Sequence, residues 1–233
     1  MHRLIRAAMV AALATFILPE GARAQQPAAR CGVLPDTVAG PSPQQIAERT
    51  ELRDRIAEAL RGHGAAPAGL VMVDVNAERR GKLLFIQGQM PDSARAAALS
   101  LVGEYLATLQ AGRAYQALIR IDGDYPALTP GRTHCRPELA NGDSMGVWMQ
   151  RVMEHHPESG RHPDEALVKR AVVRMVVART GEVAFVEMDT PSGDEMIDAN
   201  AEAIAARLRF RPATLDGVPF DVRFRFTLTF QIR

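Results

Sequence analysis

The chain has 233 residues and carries 28 basic against 27 acidic side chains, a net charge of +1. So even a balance leaves no electrostatic footprint for nucleic acid or an anionic membrane surface, and the length admits one large domain or two small ones. Aromatic residues make up 5% of the chain and gather near its end, so the core must be largely aliphatic.

The first segment has the layout of a cleavable export signal. Arg3 and Arg6 supply the positive start, Ala7 to Leu18 an apolar run, and Ala22-Arg23-Ala24 the small-residue cleavage pattern. That run is about a dozen residues, short of the ~20 that a membrane-crossing helix needs. A signal peptide over residues 1–24 and a periplasmic mature protein are therefore expected, with a retained inner-membrane anchor as the alternative. Cleavage leaves 25 basic and 26 acidic residues, a net charge of −1. Ala28-Ala29-Arg30 before Cys31 lacks the approach of a lipoprotein signal.

Export places Cys31 and Cys135 in an oxidising compartment, where a single disulfide is the plain expectation. The rival is a metal site drawn from His134, Cys135, His155, His156 and His162, but these spacings match no standard zinc pattern. No metal or cofactor is expected.

Residues 25–43, rich in Pro, Gln, Ala and Gly, form a flexible lead-in. A first helix follows Ser42-Pro43, with Ile46, Leu52, Ile56 and Leu60 at roughly helical intervals and Gly62 as its stop. Leu70 to Val75 and Leu83 to Gln87 then pair as a hairpin. Ala94 to Leu109 is a helix capped by Asp92 or Ser93, striped by Ala98, Val102, Tyr105 and Leu109. Tyr115 to Ile121 alternates as a third strand. These elements make an N-terminal domain over residues 44–125, followed by a connector over 126–165. In the connector, Met145, Val147, Trp148, Met149, Val152 and Met153 predict a helical turn or two whose tryptophan fills space.

The C-terminal domain, 166–233, repeats the order. Val172 to Ala178 and Val183 to Met188 are strands joined at Thr180-Gly181, and Gly181 and Pro191 lie 100 residues after Gly81 and Pro91. Ser192 and Glu195 have the spacing of a capping box, and Ile197, Ala201, Ile204 and Leu208 that of one buried helical face. Phe220, Val222, Phe224, Phe226, Leu228 and Phe230 alternate with Asp221, Arg223, Arg225, Thr227 and Thr229, which predicts a strand buried on one face and wet on the other. The expected fold is α+β: two strand-strand-helix-strand units, each a three-stranded antiparallel sheet with a helix on one face.

From Arg170 onward the sequence resembles the C-terminal domain of the TonB family. The likeness is carried by Thr180-Gly181, Pro191-Ser192-Gly193, a helix with Asp198 and Ala201, Phe210, Pro212 and Ala213 in Leu208-Arg209-Phe210-Arg211-Pro212-Ala213, then Gly217, Pro219 and the alternating last strand. Residues 69–122 have the order of a divergent second copy, without the Phe-x-Pro-Ala and Gly-x-Pro signatures. The resemblance implies a periplasmic module that grips an extended segment of an outer-membrane transporter or another envelope protein, in TonB-dependent transport. The family's long Pro-rich and Lys/Glu-rich linker is absent from the sequence.

An open sheet edge takes up an extended peptide as a further strand. The residues expected beside it are Arg174, Arg223, Arg225, Thr227 and Thr229. A scaffold that forms a homodimer by edge self-pairing is the alternative. No nucleophile elbow, phosphate-cradling loop or His-Glu metal helix marks an enzyme, no small-molecule substrate is evident, and Glu154-His155-His156 with Glu158 is the nearest approach to a catalytic cluster.

Overall fold

The computed structural model describes residues 31–37, 42–75, 81–87, 91–108, 115–123, 126–161 and 166–233. The expected export signal lies outside them. Among the described residues no helix is long and apolar enough to cross a membrane. They form a mixed helix-and-strand protein with four helices and several antiparallel sheets.

The chain enters through β1 (Cys31–Val33) and continues into α1 (Pro43–Gly62), β2 (Leu70–Val75), β3 (Gly81–Gln87), α2 (Asp92–Thr108) and β4 (Tyr115–Arg120). Pro43 opens α1, where its missing N–H is not needed. Leu52, Ile56 and Leu60 are buried along one face, whereas Ile46, expected on the same stripe, is exposed. On α2, Ala94, Ala98 and Val102 are buried with Tyr105 at the margin, and Leu109 lies outside the described residues. The sheet has β2 at its centre, flanked by β3 and β4. Its period-two alternation turns Val71, Ala117 and Ile119 toward the helices, and Leu70, Met72 and Leu118 the other way.

Beyond β4 lie β5 (Thr133–Cys135), β6 (Glu138–Leu139) and α3 (Gly142–Glu154). The expected turn or two of helix is therefore a 13-residue helix with Met145, Met149 and Val152 buried. Then come β7 (Leu167–Val177), β8 (Val183–Thr190), α4 (Glu195–Ala205), β9 (Phe210–Arg211), β10 (Thr214–Leu215), β11 (Val218–Pro219) and β12 (Val222–Ile232). β7 is central, with β8 and β12 at the edges. Its pairing with β12 runs unbroken from Val177 opposite Val222 to Leu167 opposite Ile232. One face, with Ala171, Val173, Met175, Phe226, Leu228 and Phe230, packs under α3 and α4. Ile197, Ala201 and Ile204 form the buried side of α4, as their spacing predicts, and Leu208 is buried just beyond the helix end.

Three features depart from the expectations. First, the connector and the lead-in build a further sheet in the order β1, β5, β10, β11, and β6 pairs with β9. Cys31 stands directly opposite Cys135 and is joined to it by a disulfide, so part of the lead-in is a paired strand. Second, two units this small are expected to pack on each other or to depend on the helix over Ile46 to Leu60. They do pack, through the side of β7 and β8 that continues the wet face of the last strand, and that side is thereby partly dry. Val176, Ala184 and Phe185 pack against Leu70, Met72 and Leu118, so the two three-stranded sheets meet back to back. Third, the cap of α4 is Asp194 rather than Ser192. Its carboxylate accepts the Ile197 N–H at 3.1 Å, and the Ser192 N–H instead donates to Asp198 at 2.7 Å. The capping-box reading of Ser192 with Glu195 is thereby corrected, because the helix begins at Glu195, which puts Asp194 at the N-cap with its carboxylate in reach of the N3 amide.

Candidate functional site: the edge of the last strand

β12 is an edge strand, and its register shows which way each backbone group points. The Gln231 N–H donates to the Met153 sulfur at 3.1 Å instead of to β7. Along an antiparallel ladder that orientation repeats every second residue, so the backbone N–H and C=O groups of Arg225, Thr227 and Thr229 also face away from the sheet. Among the described residues these groups receive no main-chain partner. The edge is closed at one end, where the Gly160 N–H donates to the Arg233 carbonyl at 2.7 Å. At the other end, Asp221 turns inward and is buried.

The opposite edge is less open. The Met188 N–H of β8 donates to the Glu202 carboxylate of α4 at 2.7 Å, and β3 approaches the same strand.

All five residues expected at the site lie on β7 and β12. Arg174 is directly opposite Arg225, while Thr227 and Thr229 continue the row. Two like charges face each other there, and the structure resolves the conflict with a residue the sequence reading missed. Asp189 of β8 accepts from both Arg174 and Arg225, and Arg174 also reaches Glu187 at 3.4 Å. The hydrogen bond from Arg174 is the main cause that holds the Asp189 carboxyl below the usual carboxylate range, against the opposing effect of burial. Its reach depends on the β-bulge between Val172 and Val173, which no sequence period marks. Arg223 shares the row but sits toward the covered end, opposite Val176.

On the other face of β12, Phe210 is buried and meets Phe224 and Phe226 edge-on, with ring centroids 5.9 and 6.1 Å away. Phe210 is locked to the β7–β8 turn. Its N–H donates to the Gly181 carbonyl at 2.8 Å, and Gly181 adopts a φ of +86° with the Phe210 carbonyl so close that no side chain fits. Ala213 is buried, Asp216 and Gly217 form a two-residue turn with φ of 50° and 82°, and Pro219 occupies the edge strand β11. Positive φ at both central positions is the hairpin geometry matched to strand twist, and an edge is where a strand tolerates proline.

The histidine cluster resolves into structural contacts. Cys135 is in the disulfide, His134 lies against the Phe220 ring, and His155 bonds the Arg151 carbonyl. His156 is buried, its Nε2 2.8 Å from Asp194 and its Nδ1 accepting the Glu158 N–H. It thereby braces the end of α3 against the cap of α4. His162 lies outside the described residues. Trp148 is half-buried against the core, with the Arg207 guanidinium 6.0 Å from its ring centre.

A small α+β module with a helix-covered sheet, an aromatic-backed terminal strand and one open edge is the class of structure these observations define. Residues 168–232 match the family model for the C-terminal region of the Gram-negative bacterial TonB protein. This segment is thus a TonB C-terminal domain, and residues 69–122 lie outside the match. No curated protein and no solved structure matches the chain.

Proposed function

We infer that the C-terminal domain is a non-catalytic docking module of the cell envelope, which takes up an extended segment of an outer-membrane transporter or another envelope protein along β12. The single observation that carries this reading is the outward row of main-chain donors and acceptors at Arg225, Thr227 and Thr229. Backbone pairing would supply affinity and alternate side chains selectivity. The TonB C-terminal match supports both the compartment and the kind of partner. A TonB-dependent transport role would follow if the chain were tethered to the inner membrane.

The N-terminal sheet has the same strand order, with the first strand central and the second and last on its flanks. That shared order supports a divergent tandem repeat. In this reading its job is to cover the back of the docking sheet, as Leu70, Met72 and Leu118 do.

Thr227→Pro gives a direct test. The Thr227 N–H points outward, so proline there spares the ladder with β7 while breaking the edge. Peptides copied from transporter N-termini are expected to bind the wild-type chain and to lose binding to Thr227→Pro. Equal binding by both proteins, or none by either at millimolar peptide, would defeat the reading.

A further inference from the structure

The β12 edge has a chemical preference as well as a geometry. Its outward-facing row carries Arg223 and Arg225, and the neighbouring strand adds Arg174 and Arg170 on the same face. Among the described residues, the acidic groups of this face are Glu187 and Asp189, which stand on β8, at the far side of the sheet. Asp189 is nearly buried beneath Arg174 and Arg225, whereas the Arg225 side chain remains 67% exposed. The Arg225 guanidinium therefore stands exposed on the edge strand itself. On the helix-bearing side, the same edge presents half-buried Phe224 backed by Phe210.

A strand laid along β12 places every second side chain beside the arginine row and the others beside Phe224. Directly opposed unlike charges stabilise such a pair and like charges oppose it. A second copy of this chain would bring its own arginine row onto the same face, so self-pairing is disfavoured by the same residues.

We propose that the β12 edge selects short extended segments that alternate acidic and apolar side chains, the acidic ones lying beside Arg225. This selectivity rests on the docking reading above. The closures at Gly160 and Asp221 confine the added strand to the stretch around Arg225 to Thr229, so a segment of about five to seven residues fills it.

The experiment uses the chain from Gln25 onward and fluorescently labelled peptides of alternating valine and glutamate, with glutamine and lysine counterparts. Anisotropy titrations at low and high salt are run on wild type, Arg225→Gln, Arg225→Glu and Thr227→Pro, each checked for its fold by circular dichroism. The glutamate peptide is expected to bind about fivefold more tightly than the glutamine one, with the gap shrinking in salt. The gap should close in Arg225→Gln and turn toward lysine in Arg225→Glu. Equal binding of glutamate and glutamine peptides, abolished by Thr227→Pro, would overturn the charge selectivity and leave strand addition intact. Binding that survives Thr227→Pro, no binding at all, or a dimer in sedimentation that Thr227→Pro dissolves would overturn both.

Discussion

A methyl group added at Gly181 would lie 1.9 Å from the Phe210 carbonyl oxygen, at a φ that only glycine adopts freely. Gly181→Ala is therefore expected to cost at least about 2 kcal/mol, since both a strained backbone and a steric clash are incurred. Urea unfolding monitored by circular dichroism measures it. Asp189 offers a second residue-scale prediction, in pH. With its carboxyl held below the ordinary carboxylate value of about 4, chiefly by Arg174, the folded state binds fewer protons than the unfolded one in that region. Its stabilising contribution is complete above pH ~4 and is lost as pH falls below it. Asp189→Asn should flatten the acid limb of the stability curve; an unchanged limb would show that the Arg174 and Arg225 contacts contribute nothing.

At the scale of elements, the last strand was the most legible part of the sequence. Phe226, Leu228 and Phe230 alternate with polar residues, and burial follows that period. The helical face of α4 and the Asp216-Gly217 turn were legible for the same reason, because local geometry fixes them. What was not legible depends on register. Asp221 continues the polar alternation on paper, yet it is buried, since Arg120 from a distant strand arrives to neutralise it. Asp189 likewise acquires its role only once a bulge brings it under two arginines. The short strands β5, β6, β9 and β10 are too brief for any period to show. The Cys31–Cys135 disulfide was legible from compartment and count, but not its setting as a cross-strand pair. It closes a loop spanning 104 residues. Its removal in a Cys31→Ala, Cys135→Ala variant should cost about 4.7 kcal/mol on the loop-entropy account, seen as a lowered urea midpoint relative to the oxidised wild type.

For the molecule as a whole, the decisive feature is the way the two three-stranded sheets are held back to back. Arg120 from β4 grips Asp221 at the start of β12 through two hydrogen bonds of 2.5 and 2.7 Å, and Asp122 joins Arg120 and Arg179 beside it. Both Arg120 and Asp221 are buried, so removing one partner leaves a charge without compensation. Arg120→Ala is expected to cost about 3–5 kcal/mol, and calorimetry that showed no change would mean the sheets are not joined there. By fixing Asp221, this latch sets where the open edge begins.

Amide hydrogen exchange by NMR, with and without an extended acidic peptide, tests the docking edge most directly. Slowed exchange at Arg225, Thr227 and Thr229 on peptide addition, with Phe226 and Leu228 already slow and unchanged, is the expected result. Amides at those three positions that are protected before any peptide is added, or protection that appears on β8 instead, would contradict strand addition at β12.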